Sequence, residues 1–244
     1  MPAEPTIFAT SGGFSSSGRG PIAWRRGPLI DYALHLSGVE RPRICYLATA
    51  QGDSPLYVAA FYNAFAGSTD AVASHLALYP MPSAEDPRAH LLAQDVIWVG
   101  GGSVANLLAL WRVHGLDVVF REAWERGIVL AGVSAGSICW HVGGTTDSFG
   151  PELRLVDNGL GLLPFANGVH YDAEDQRRPL LQSLVASGAL PTAHATDDGV
   201  GLVYRGTELV DVVSDRPDAA AYKVEADGAG GVTETVLRPR LLTG

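Results

Sequence analysis

Short apolar runs of about five residues, closing on small residues, alternate along this chain with longer stretches whose apolar positions recur three and four residues apart. The first pattern suits strands buried on both faces, and the second suits helices that lay one face on a sheet. Strands are predicted at 6–10, 43–48, 95–99, 128–133 and 167–170, and helices at 30–37, 55–66, 104–113, 118–126 and 179–187. Several of these helices open beside Ser, Asp or Pro, which are helix-starting residues. Strand, crossover helix and strand in repetition predict an α/β fold on a mostly parallel sheet. Past residue 199 the character changes. The runs 199–204, 208–214 and 220–224 read as short antiparallel strands around the turns Arg205-Gly206-Thr207 and Asp215-Arg216-Pro217, extending one edge of the sheet.

Size and charge narrow the function. A chain of 244 residues is expected to form one domain, 1–244, with a well-buried core. A formal net charge of −9 leaves no basic patch to follow a phosphate backbone, so nucleic acid is a poor partner, and anionic membrane surfaces are disfavoured too. No apolar run reaches the ~18 residues of a membrane span, and the start Met1-Pro2-Ala3-Glu4-Pro5 lacks a basic stretch followed by an apolar core. Cys45 and Cys139 stand alone, without a Cys-x-x-Cys pair or Cys/His metal spacing. A soluble, cytoplasmic protein with no cofactor and no metal is expected; its apolar helix faces leave a homodimer open.

The chemistry concentrates at Gly132-Val133-Ser134-Ala135-Gly136. An apolar strand enters this turn and a helical stretch leaves it. A serine on such a turn is lifted from the sheet edge, and small neighbours leave room for the turn and for an approaching carbonyl. The Ala135 N–H at the helix start is free for a developing oxyanion. The competing reading is a turn whose serine caps the helix, a task Ser137 could also perform. A second glycine turn, Val99-Gly100-Gly101-Gly102, ends the preceding strand and would bring the Gly102 N–H alongside Ser134. Gly100-x-Gly102-x-x-Ala105 also fits a dinucleotide fingerprint, with Asp117 as ribose acid. Its place after at least two earlier strands argues against a non-catalytic nucleotide module, and Asp117 comes before rather than after its apolar run.

A serine nucleophile needs a base and a group to orient that base. His141 follows Ser134 by seven residues, ~10 Å along a straight helix, too far to be the base. His35, His75, His90 and His114 fall within or beside helical segments. His170 stands where an apolar stretch gives way to the polar loop Tyr171-Asp172-Ala173-Glu174-Asp175, and is favoured over His194, which reads as buried inside a strand. Asp198, Asp147, Asp172 and Asp197 are all candidates for the orienting acid, and any of them could instead be a turn former. The Gly/Ser-rich loop 11–18 after the first strand is either a surface loop or part of a substrate crevice.

Three blocks in order, Val99-Gly100-Gly101-Gly102, Gly132-Val133-Ser134-Ala135-Gly136-Ser137 and Pro164…His170-Tyr171, resemble the peptidase E family of serine peptidases, which includes aspartyl dipeptidase and cyanophycinase. The match spans about residues 43 to 205. The resemblance implies a three-layer α/β/α sandwich related to class I glutamine amidotransferases, without a metal. It also implies a dipeptidase-like serine peptidase with Ser134 as nucleophile, His170 as base, an oxyanion hole from Gly102 and Ala135, and Asp198 as acid with Asp147 as the alternative. Short peptides are the implied substrates, N-terminal aspartyl peptides among them. Two departures bear on that preference. Gly168-Val169 replaces the Asn-Pro of aspartyl dipeptidases, and no arginine lies between His141 and Thr145, leaving Arg19, Arg154, Arg177 and Arg178 as cations for a substrate carboxylate. The enzyme rival is an α/β-hydrolase-type esterase, whose order of serine, acid, histidine fits Asp147 and not Asp198.

Overall fold

Alternate side chains of a strand point to opposite faces, and in this protein both faces of the central strands are covered by apolar packing. In β1 (Thr6–Thr10), Ile7 and Ala9 enter one core and Phe8 the other. The same alternation places Cys45 and Leu47 opposite Ile44 and Tyr46 in β4 (Arg43–Leu47), and Ile97 and Val99 opposite Val96 and Trp98 in β6 (Val96–Val99). These contacts come from a computed structural model describing residues 4–16, 18, 20 and 23–242; Arg19 lies outside the described residues.

Between β1 and β4 come a short hairpin, β2 (Ser15–Ser16) with β3 (Trp24–Arg25), and helix α1 (Pro28–Leu36). Helix α2 (Pro55–Ala64) leads to β5 (Val72–His75), and α3 (Pro87–Leu92) precedes β6. Helices α4 (Val104–Val113) and α5 (Leu116–Glu125) then lead to β7 (Val129–Val133). Strands β1, β7, β6, β4 and β5 lie side by side and parallel. Helices α1 and α2 cover the face of Phe8, Tyr46 and Trp98, while α3, α4 and α5 cover the other. This is the α/β sandwich expected. The connections reverse direction between β4 and β6, where open α/β sheets form their ligand crevice at the carboxyl ends of the strands.

The second half departs from the expected single sheet. After β7 come α6 (Ala135–Ile138), β8 (Gly143–Thr146), β9 (Arg154–Val156), β10 (Ala166–Gly168), α7 (Arg177–Ala186) and β11 (Ala193–Thr196). β12 (Val200–Arg205) and β13 (Glu208–Ser214) add antiparallel strands beside β1, as the C-terminal pattern predicts, and β16 (Arg240–Leu241) closes this edge of an eight-stranded sheet. β14 (Ala221–Ala226) and β15 (Val232–Leu237) instead join β11, β10, β8 and β9 in a separate six-stranded sheet. The stretch around Asn167 therefore belongs to this second sheet, not to the central one.

The two sheets meet on an aromatic and imidazole contact. Tyr204 of β12 lies 2.9 Å through its hydroxyl from His194 Nδ1, and Phe165 packs on His194 at a centroid distance of 4.5 Å. His141 is fully buried beside Tyr204, its Nδ1–H donating to the Ser137 carbonyl at 2.9 Å while Nε2 has no partner among the described residues. Burial disfavours the charged imidazolium, lowering His141 to about 3 and His194 to about 4. The unfolded chain, with histidines near 6.5, binds the extra protons, so stability must fall as pH drops below about 6.5 toward those depressed values. Denaturant unfolding between pH 7.5 and 5, above the carboxylate range, is expected to show stability declining with acid and a shallower decline in His194→Gln. A flat profile over that window would contradict a buried neutral pair.

Candidate active site

The turn that carries Ser134 is built from close packing. A Cβ on Gly132 would lie 2.5 Å from the Gly136 carbonyl oxygen and 2.7 Å from that of Val99; one on Gly136 would lie 2.2 Å from the Val99 carbonyl oxygen. Glycine is therefore required at both positions for α6 to seat against the end of β6. Ser134, between them, has φ 57° and ψ −112°, a strained conformation for a residue with a side chain. Its N–H donates to the Thr10 carbonyl at 3.0 Å, and its carbonyl accepts from the N–H groups of Ser137 and Ile138. The Ala135 N–H donates to no acceptor among the described residues. Helix α6 has a single turn, so it is the unpaired N–H, and not a helix dipole, that Ala135 offers.

The neighbouring glycine loop lies against the serine through Gly101. A Cβ there would be 3.3 Å from Ser134 Cβ and 3.8 Å from Ser134 Oγ. Gly102 has φ 123°, and its Cβ position is blocked at 2.3 Å by the Ala50 carbonyl oxygen. The N–H groups of Gly101 and Gly102 are both without partners among the described residues, whereas Ser103 N–H is committed to Ala50 O at 2.8 Å and Ala105 N–H to Ser148 Oγ at 3.3 Å. At the start of α4 the Ser103 and Ala105 amides are thus engaged, and the free donors are those of Gly101 and Gly102, beside Ser134.

His170 and Asp198 come from the second sheet and are carried to the same place by the residue after β1. Ser11, buried, accepts the His170 N–H on its hydroxyl at 3.1 Å and shares a 2.7 Å hydrogen bond with Thr196 of β11. Its carbonyl accepts the Gly199 N–H at 2.8 Å. Thr10 thus holds Ser134 while Ser11 holds His170 and the Asp198-Gly199 turn. His170 Nδ1 and Asp198 Oδ1 lie 2.5 Å apart. This hydrogen bond, opposed by partial burial, holds the Asp198 carboxyl below its ordinary value. His170, like Ser134, is a non-glycine residue at positive φ, 54°. Among the described residues Ser134 Oγ and His170 Nε2 have no hydrogen bond of their own.

The other acids are placed elsewhere or employed as supports. Asp172 accepts the Asp198 N–H at 2.8 Å and an Arg216 N–H at 3.1 Å. Asp197 accepts the Ala220 N–H at 2.9 Å. Asp147 borders a separate recess with Glu174 and Asp175. His194 and His141 are buried between the sheets. Arg154 is exposed on β9, Arg177 is bound to Glu174 and the Thr145 carbonyl, and Arg178 is paired with Glu234. No group of three or more His, Cys, Asp or Glu able to hold a metal occurs among the described residues.

Ser11, Gly101, Val133, His170 and Asp198 border one cavity of about 410 Å³, within the range of small-ligand sites, ~300–1,000 Å³. Residues 16–212 match Peptidase family S51. The chain belongs to this family. It is therefore a peptidase, a hydrolase of the serine type.

The family S51 chain is 46% identical over 196 residues to the uncharacterized peptidase YgaJ of Bacillus subtilis (strain 168), covering 80% of this chain and 84% of that protein. It is 29% identical over 137 residues to peptidase E of Shewanella denitrificans, covering 51% of this chain and 57% of that protein. The fold is shared with a crystal structure of a peptidase from an acI-B1 Actinobacterium, with a TM-score of 0.69, 17% identity and 98% and 96% of the two chains covered. It is shared too with a putative peptidase E protein from Listeria monocytogenes EGD-e, with a TM-score of 0.58, 18% identity and 85% and 98% covered. No helix among the described residues is long and apolar enough to cross a membrane.

The loop 11–18 borders the cavity through residues 11–15, the crevice alternative of the sequence analysis; the bonds of Ser11, to partners more than 150 residues away, and the placing of Gly101 against Ser134 had no local signal. If close packing fixes the turn, Gly136→Ala should lower stability by about 1–3 kcal/mol and displace Ser134. Thermal unfolding together with peptide hydrolysis checks this, and unchanged stability with full activity would contradict the packing argument.

Proposed function

We propose that this peptidase cleaves short peptides through an acyl-enzyme on Ser134, with His170 as general base, Asp198 orienting the imidazole, and the amides of Ala135 and the Gly101-Gly102 loop facing the oxyanion. The observation that carries the reading is the shared anchor: adjacent residues Thr10 and Ser11 bond to Ser134 and His170, and the His170–Asp198 pair borders the same cavity. With Nδ1 engaged by Asp198, His170 Nε2 is left to meet the serine hydroxyl.

In the first half-reaction His170 Nε2 takes the Ser134 proton as Oγ bonds to the scissile carbonyl carbon. Negative charge gathers on the carbonyl oxygen, where unpaired N–H groups stabilise it in a partly desolvated site. Collapse breaks the C–N bond, and the imidazolium delivers its proton to the departing amine. Water repeats the sequence: His170 takes a water proton, hydroxide oxygen bonds to the acyl carbon, and the ester breaks to give a carboxylate and a reprotonated Ser134. Asp198 remains ionised throughout, and its lowered pKa supports that role.

The order serine, histidine, acid disfavours the α/β-hydrolase-type esterase, which would require Asp147 beside His170. A preference for N-terminal aspartyl peptides finds no support in the cavity. Among the described residues the guanidinium that borders it, Arg216, is already paired with Asp172 and with the Asp198 carbonyl.

Ser134→Ala is expected to lower kcat/KM by about 10⁴-fold or more. Asp198→Asn should cost about 10³–10⁴-fold through loss of imidazole orientation, while Asp147→Asn should leave turnover little changed. Steady-state hydrolysis of a panel of dipeptides measures all three; near-normal turnover by Ser134→Ala would end the proposal, and collapse in Asp147→Asn alone would transfer the acid's role.

A further inference from the structure

The strand order gives the cavity two ends of different chemistry. Ser134 tops β7, which lies between β1 and β6. On the β1 and β12 side stand His170, Asp198, Asp215 and Arg216. Asp215 belongs to this end because its Oδ1 lies 2.4 Å from the position a Gly199 Cβ would occupy, and Arg216 because it donates to the Asp198 carbonyl at 3.0 Å. On the β6 and β4 side stand Trp98 and Tyr46, which point to the same face of the sheet by strand alternation.

Phe14 and Trp24 complete this second end. Their rings stack at 5.2 Å and 15°, Phe14 meets Trp98 edge-on at 6.0 Å, and Trp24 meets Tyr46 edge-on at 6.3 Å. All four aromatic residues border the cavity; Phe14 and Trp24 are partly exposed to it, while Tyr46 and Trp98 are buried and back them. Polar groups at this end include the Ser15 and Tyr46 hydroxyls and the Gln51 side chain, and the Tyr46 hydroxyl donates to Gln51 Oε1 at 2.8 Å. Among the described residues every charged one that borders the cavity stands at the opposite end.

The direction of the substrate follows from the reaction. The departing amine must face His170, the proton donor, and so lies toward β1. The carbonyl oxygen faces the glycine loop after β6, and the side chain on the acyl part is directed toward β6 and β4. We propose that the aromatic wall of Phe14, Trp24, Tyr46 and Trp98 receives the side chain of the residue supplying the scissile carbonyl, and that it selects aromatic and large aliphatic residues over charged ones, aspartate included. The proposal rests on Ser134 acting as the nucleophile. An apolar side chain there exchanges water for ring faces, whereas a carboxylate would lose its hydration with no cation among the described residues at that end to replace it.

The test is kcat/KM for X-Leu and X-Leu-Gly peptides with X as Phe, Leu, Ala, Lys or Asp, using the full chain and Ser134→Ala in parallel. Phe and Leu peptides are expected to exceed Asp and Lys peptides by roughly 100-fold or more. Trp24→Ala should narrow the Phe-to-Ala ratio by roughly tenfold; being a ratio within one preparation, it does not depend on the folded fraction. Preference for Asp or Lys, or indifference to X, with activity abolished in Ser134→Ala, would overturn the aromatic pocket and leave the nucleophile standing. No hydrolysis of any peptide, or equal hydrolysis by Ser134→Ala, would overturn both.

Discussion

The proposed active site depends on two consecutive residues at the end of one buried strand. The Thr10 carbonyl accepts the Ser134 N–H, while the Ser11 hydroxyl accepts the His170 N–H and its carbonyl the Gly199 N–H. Each bond is modest, about 1 kcal/mol net, but leaving a buried partner unsatisfied costs more. Their combined effect is geometric. Elements from two sheets, the β7 turn in one and the loops after β10 and β11 in the other, are referred to a single fixed point. Ser11 is itself buried and tied to Thr196, so the second sheet cannot shift relative to the nucleophile without breaking this cluster.

The strain at the site is consistent with that view. Ser134 and His170 both hold positive φ, which costs free energy and persists where surrounding structure over-determines it. Around Ser134 the determinants are the contacts of Gly132 and Gly136 with the end of β6; around His170 they are Ser11 and the Asp172–Arg216 pair that holds the Asp198 turn. The Gly-x-Ser-x-Gly pattern is thus a packing requirement first. It leaves the serine beside Gly101 and a pair of uncommitted backbone donors.

The parallel core was legible because its strands are apolar on both faces and its helices carry periodic apolar positions. The second sheet was hidden by its short, small-residue strands. Gly143 and Gly144 in β8 have no side chain because Cβ atoms would lie 2.1 Å from the carbonyl oxygens of Val156 and Asn167, respectively. Read as a sequence, the same glycines look like a loop. His141 was set aside on the length of a helix that is in fact one turn long, and burial is the physical reason it cannot serve. The nucleophile turn was readable from local pattern, and the aromatic wall was not, since Phe14, Trp24, Tyr46 and Trp98 meet only when the hairpin folds over the ends of β4 and β6.

On the proposed mechanism the turn held by Thr10 presents Ser134, and no neighbouring hydroxyl, as the reactive group. Ser137, three residues on, is buried and donates to Asn167 Oδ1 at 2.8 Å. Treatment with a fluorophosphonate followed by mass-spectrometric mapping of the modified residue distinguishes them directly. A single adduct on Ser134 is expected; an adduct on Ser137, or none on either serine, would overturn the proposed mechanism.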